Sequence, residues 1–199
     1  MKVFGKWDAT EIKIRDAGLV PYVVLENRLS MHTFGTSISS GKSKERINII
    51  ERLINKLMRS GQGKKKLGGK FYRGRLNCGK KLLALKAVDS AFDIINKKTG
   101  KNPVQVLIDA IENSTPNEDV TRITKGGVAS AESVDVAPIK KLDEALKNIV
   151  LAVFANTFNT KITFADALAS GIMLAASRDQ KSYSIKRKDE IERIARSSR

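Results

Sequence analysis

Between Glu51 and Asp89 the chain carries no acidic residue, while residues 52–88 hold twelve Lys or Arg. Unpaired cations cannot enter an apolar interior, so in this block the charges have to face outward or meet a counter-charge. Within it Gly61, Gly63, Gly68, Gly69, Gly74 and Gly79 interleave with Lys64, Lys65, Lys66, Lys70, Arg73, Arg75, Lys80 and Lys81, a glycine density that works against regular helix. The expectation is a long mobile loop over 61–81 whose backbone can follow a chain of phosphates. Phe71 and Tyr72 are placed in it to stack on an unpaired base.

The rest of the charge sharpens that reading. Over 199 residues there are 37 Lys and Arg against 21 Asp and Glu, a formal net charge of +16. The stretch 178–199 holds eight basic and four acidic residues, and what remains after the block and this tail has seventeen of each sign. A neutral body with two cationic appendages points to localised contact with a polyanion, since surface solubilisation scatters both signs. The length and the 41% apolar content suit one helical domain over 44–199 preceded by an N-terminal extension over 1–43. One cysteine, Cys78, and one histidine, His32, leave no internal disulfide and no zinc-ligand set, so no cofactor is expected and a reducing compartment fits. The longest apolar run, Ile149 to Ala155, falls well short of the ~18 residues of a membrane span. The first twenty residues mix Lys2, Lys6, Asp8, Glu11 and Asp16 with apolar residues, unlike a secretory or transit leader, so a soluble protein is expected.

Apolar periodicity supplies the architecture. Ile47, Ile50, Leu53, Ile54, Leu57 and Met58 predict a helix over about 44–60, and Leu82, Leu85, Val88, Phe92 and Ile95 a second one up to Thr99-Gly100. Asn102 followed by Pro103 is an N-cap with proline at the first helical position, opening a third helix through Val104, Leu107, Ile108 and Ile111 that Pro116 closes. The period then changes to two on either side of Gly126-Gly127, which predicts a β-hairpin over 119–136. Pro138 opens a fourth helix, apolar nearly all round at its far end and therefore expected centrally in the core. Thr163 with Asp166 resembles a capping box for a fifth, and Ser184 is the expected cap of a sixth, basic helix containing Ile191 and Ile194. Glu11–Arg15 and Tyr22–Leu25 read as short strands or extended chain. The fold class is mainly α: a six-helix bundle with a protruding β-hairpin arm and an N-terminal extension with short strands.

Catalytic motifs are absent or flawed. Gly35 to Ser43 imitates a phosphate-binding loop, but five residues separate Gly35 from Gly41 where four are needed, and Val106-Leu107-Ile108-Asp109 lies in helical phase where a magnesium-binding strand would be required. Asp89 and Asp93, four apart, are read as helical ion pairs with Lys86 and Lys97 rather than as an acid–base dyad. His32 reads as a surface imidazole and Cys78 as a packing thiol. Phe4 and Trp7 suit either stacking on a base or anchoring an N-terminal arm.

Taken together, Phe4-Gly5-Lys6-Trp7, Gly79-Lys80-Lys81 with Ala91-Phe92 and Ile95, and Thr99-Gly100 with Asn102-Pro103-Val104-Gln105-Val106-Leu107 form a distinctive constellation. So do Asn113, Pro116, Glu118-Asp119, Thr121-Arg122-Ile123, Val134-Asp135-Val136, Pro138 and the run Ser182 to Arg193. This constellation resembles small-subunit ribosomal protein seven of the archaeal and eukaryotic type, over nearly the whole chain. The resemblance implies a cytoplasmic, non-enzymatic protein of the small ribosomal subunit that binds the 3′ major domain of the rRNA and nucleates head assembly. It also implies neighbouring ribosomal proteins, messenger RNA and exit-site tRNA close by, and neither membrane nor DNA as a partner. Carried over by position, Lys80, Lys81, Arg122, Lys186, Arg187 and Lys188 fall on basic motifs of the family, with Lys140 and Lys141 where an arginine pair is usual. Lysine there keeps the charge without the bidentate geometry. With Lys125, and with Lys64, Lys65, Lys66, Lys70, Arg73 and Arg75 of the loop, these are the expected RNA-binding residues. Glu132 puts an acid on the second hairpin strand, which weakens the case for RNA contact there. The alternative is a basic RNA-binding or RNA-chaperone protein acting outside the ribosome.

Overall fold

The computed structural model describes residues 2–34, 46–59, 66–67, 70–71 and 79–198, with the backbone alone at 66–67, 70–71, 125 and 128. Among these residues the helices are α1 (Ile49–Met58), α2 (Lys81–Thr99), α3 (Pro103–Ser114), α4 (Pro138–Thr157), α5 (Phe164–Ala176) and α6 (Tyr183–Ser197). The strands are β1 (Lys66–Leu67), β2 (Lys70–Phe71), β3 (Glu118–Lys125) and β4 (Val128–Asp135), each consecutive pair forming an antiparallel hairpin. The mainly α fold with a β-arm is therefore the one the periodicity predicted.

Caps set most of the boundaries. Asn102 accepts a hydrogen bond from the Val104 N–H at 3.1 Å and opens α3 at Pro103. Thr163 accepts from the Asp166 N–H at 3.2 Å and opens α5. Gly100, at φ 66°, ends α2 in the left-handed region that a side chain would resist, and its N–H returns to the Asn96 carbonyl at 2.8 Å. Two starts differ from expectation. α1 begins at Ile49 rather than near 44, because Asn48 is drawn into the N-terminal segment: its Nδ2 donates to the Glu26 carbonyl at 2.9 Å while its Oδ1 caps the Ile50 N–H at 3.0 Å. Ser182, not Ser184, precedes α6; Ser184 is buried and bonds the Ser114 hydroxyl at 2.9 Å.

The long hairpin pairs from Lys125↔Val128 at the tip to Glu118↔Asp135 at the base. Gly126 and Gly127, at φ 57° and 84°, make the two-residue turn whose twist matches its strands. Within the basic segment, expected to be loop throughout, a two-residue ladder pairs Lys66 with Phe71 and Leu67 with Lys70.

One core unites the helices. α5 contributes Ala167, Leu168, Ala169, Ile172 and Ala175, whose small side chains let it pack closely on α2, α3 and α4. α4 touches α1, α3, α5 and α6, as its apolar content suggests, although Leu151, Phe154 and Ala155 near its far end are only half-buried. On α2 the buried face is Ala84, Val88, Ala91, Phe92 and Ile95. Leu82, expected on that face, is 73% exposed because it lies about 120° of helical rotation from Val88.

The N-terminal segment is built into the same core through Val3, Ala9, Leu19, Val23 and Met31, and Phe4 meets Phe92 edge-on at 6.0 Å. Its extended runs form no named strand. Glu11–Arg15 is held to α3 by side chains, with Gln105 accepting from the Lys13 N–H at 2.9 Å and donating to the Lys13 carbonyl at 3.0 Å. Over Tyr22–Leu25 a single bridge joins Val24 to Asn48. Asn102 does double duty, because its Nδ2 also donates to the Asp8 carbonyl at 2.7 Å. Asn102→Ala should therefore cost about 1–2 kcal/mol in denaturant unfolding, against a few tenths for Lys97→Ala at an exposed site on α2; an unchanged midpoint would show that the cap contributes nothing.

Candidate nucleic-acid interface

The basic segment is closed at its root by the fold. The Gly79 N–H donates to the Met58 carbonyl at 3.1 Å, which brings the end of α1 against the start of α2. Beside it Glu51 is buried at 2% exposure, and its Oε1 accepts from Lys81 Nζ at 2.6 Å and from the Thr33 N–H and hydroxyl at 3.0 and 3.1 Å. Lys81 thus turns inward, whereas Lys80 is exposed and has no side-chain partner among the described residues. Lys64, Lys65, Arg73, Arg75, Tyr72, Cys78 and the Gly35–Ser43 run lie outside the described residues, and Lys66 and Lys70 are placed by backbone only, across from Phe71 and Leu67. Because the Lys81 ammonium compensates a buried carboxylate, Lys81→Met should destabilise the fold by on the order of 3 kcal/mol in chemical denaturation. Retained stability would mean that this lysine is free for external anions.

A second group of cations assembles where the long hairpin meets the bundle. Lys140 donates to Asp119 Oδ2 at 2.6 Å, Lys141 to Asn117 Oδ1 at 3.1 Å, and Lys188 to the Asn113 carbonyl at 3.3 Å. Arg187 pairs with Glu190 at 2.6 Å, and the Asn117 N–H is accepted by Glu192 of α6 at 3.2 Å. Pro116, Asp119, Val136, Lys140, Glu144, Arg187 and Ile191 enclose a cavity of about 160 Å³. Burial works against the charge of the Asp119 carboxylate, but the Lys140 ammonium and the Val120 N–H outweigh it and hold its pKa below the ordinary value. The hydrogen bond to Glu190 raises that of Arg187. Lys186 is exposed on the same helix, and Arg122 is exposed on β3 opposite Ala131; Lys125 is placed at the tip by its backbone.

A lowered folded pKa gives Asp119 a stabilising contribution that is present above its unfolded pKa and lost as pH falls through the folded one. Lys140→Met should raise the Asp119 pKa toward the usual carboxylate range, and an NMR titration of the side-chain carbonyl checks this; an unmoved pKa would mean the pair is not formed in solution.

Sequence spacing missed several groups. Arg193 joins Lys186, Asp189, Glu190 and Gln180 around an open cleft of about 330 Å³, and the recurrence of 186, 189, 190 and 193 along one helix face is the signal by which it could have been found. The ion-pair roles of Glu51 and Asp119 carried no signal, because a partner distant in sequence gives a carboxylate no local signature. Asp89 and Asp93 do not serve Lys86 and Lys97 as expected: both hold Lys6, at 3.1 and 2.9 Å, and so pin the N-terminal arm to α2. Among the described residues no group of three or more His, Cys, Asp or Glu comes together to hold a metal ion, and no helix is long and apolar enough to cross a membrane.

What these observations define is a helical-bundle protein with a β-arm whose cations gather at the arm's base and at the root of a basic segment. The family of ribosomal protein S7p/S5e matches residues 28–199. The small ribosomal subunit protein uS7 of Methanococcoides burtonii is 43% identical over 198 residues, spanning 100% of this chain and 99% of its own. That of Picrophilus torridus is 42% identical over 197 residues, spanning 99% and 98%. The chain therefore belongs to the ribosomal protein S7p/S5e family, and its role is structural rather than enzymatic.

Proposed function

We propose that this protein is a component of the small ribosomal subunit that binds the 3′ major domain of the rRNA, helps nucleate assembly of the head, and lies by the messenger exit and exit-site tRNA. The observation that carries the reading is the end-to-end similarity at 43% identity to a protein of the small ribosomal subunit. The layout of charge supports it. Lys80, Arg122, Lys186 and Arg193 are exposed, while Lys140, Lys141, Arg187 and Lys188 stand together at the base of the arm on rigid helices. Rigid cations at fixed separations fit the backbone geometry of folded RNA and read its shape more than its sequence.

Membership of a ribosomal particle, and not free RNA chaperoning, predicts that the protein stays with small subunits through a moderate-salt wash. On isolated rRNA, neutralising about eight phosphates gives a log–log slope of affinity against salt of about −6 to −7. Titration at four or more salt concentrations measures it, and a slope near zero would refute phosphate-driven binding.

A further inference from the structure

α1 has a polar face whose chemistry is not explained by the core it helps to build. Arg52, Asn55, Lys56 and Arg59 recur at i, i+3, i+4 and i+7, the spacing of one helix face, beside the buried stripe of Ile50, Leu53, Ile54 and Leu57. With Ile47 and with Asp143 of α4 they line a small cleft of about 90 Å³, the scale of a single phosphate group. An ordinary surface helix face mixes signs so that its charges cancel. Here three cations face one carboxylate, and the helix's own acid, Glu51, is turned away to Lys81.

The arrangement is built, not fortuitous. Arg52 has a side chain only 2% exposed and is fixed from two directions, donating to Asp143 Oδ1 at 3.3 Å and to the Tyr22 carbonyl at 3.4 Å. Lys56 reaches the same Asp143 oxygen at 3.6 Å. Asp143 therefore neutralises one charge and orients two cations, leaving two net positive charges in the cleft. Arg59, just past the last turn, and Asn55 have no side-chain hydrogen bond among the described residues, and both carry donors at the cleft. Attraction to the helix C-terminus accounts for cations at 56 and 59; it accounts neither for an arginine buried at 52 nor for the amide at 55.

The geometry points to a phosphate-binding cleft formed by Arg52, Asn55, Lys56 and Arg59, whose ligand is a phosphodiester of RNA. Arg59 supplies the planar donor fork, Asn55 a neutral donor, Lys56 a point charge, and Arg52 the fixed positive floor. The site rests on the proposed rRNA-binding function and adds to it a contact that precedes the basic segment and lies on a rigid helix.

The test uses the full chain and an rRNA fragment of the 3′ major domain, titrated across salt concentrations. Arg59→Ala and Lys56→Gln alter partly or fully exposed positions, so the fold is retained, which circular dichroism checks. Each should weaken binding, and together they should make the salt slope shallower by about one to two, with Arg59→Lys keeping the slope but losing part of the affinity. Unchanged affinity and slope in both alanine and glutamine variants, with a steep wild-type slope, would overturn the cleft while leaving rRNA binding in place. A wild-type chain that does not bind would overturn both.

Discussion

The pairing of Glu51 with Lys81 is the contact on which the rest of the arrangement turns. A carboxylate at 2% exposure is tolerable only if its charge is met, and Lys81 Nζ at 2.6 Å together with two donors from Thr33 meets it. Those three residues come from three separate stretches of chain: the N-terminal segment, α1 and the start of α2. Their meeting fixes the separation between Met58 and Gly79, and so sets both stems from which the basic segment 61–81 emerges. A chain at +16 has an unfavourable self-field to contain. Among the described residues few cations are taken inside, each against an acid, and the others lie at the surface.

The same logic recurs around the molecule with different partners. Lys6 is clasped by Asp89 and Asp93, Arg15 by Asp109, Arg52 by Asp143, and Lys140 by Asp119. Every one of these pairs joins residues far apart in sequence, and each ties an otherwise peripheral piece to the bundle: the arm at the N-terminus to α2 and α3, α1 to α4, the base of the hairpin to α4. Apart from the buried Arg52, these pairs are open to solvent and contribute little stability individually. Their effect is geometric, because acids that neutralise cations of the scaffold also aim the cations left over.

This division explains what could be read from the sequence and what could not. Helix periods, the Asn102-Pro103 start, the Thr163 cap and the Gly126-Gly127 turn are local: each is determined by residues within one turn of the chain, so each was legible. Most of the failures have one physical source, contacts over long sequence distances. Asn48 shortened α1 because it pairs with Glu26 and Val24, and Ser184 was lost as a cap because Ser114 buries it. The extended N-terminal runs paired with side chains instead of forming strands, since Gln105 offered both donor and acceptor to the Lys13 backbone. Charge counting gave Lys80 and Lys81 the same outward role, although a buried acid thirty residues from Lys81 separates them.

That separation bears on how the interface is organised. Of two adjacent lysines, Lys80 faces outward and Lys81 is bound to the interior, so on the proposed reading only Lys80 is left to meet an external anion. At the base of the arm the division is less sharp, because Lys140 and Arg187 are paired with Asp119 and Glu190 yet stay partly open to solvent. A carboxylate oxygen and a phosphate oxygen are alternative acceptors for the same donor, and the phosphate brings released counterions with it. On the proposed reading, the acids at the arm's base keep those cations ordered in the free protein and give way to phosphate on binding, whereas Glu51, sealed from solvent, does not. Cations already held in place by neighbouring acids lose little conformational freedom on meeting an anion, which is the property that the proposed rRNA contact calls for.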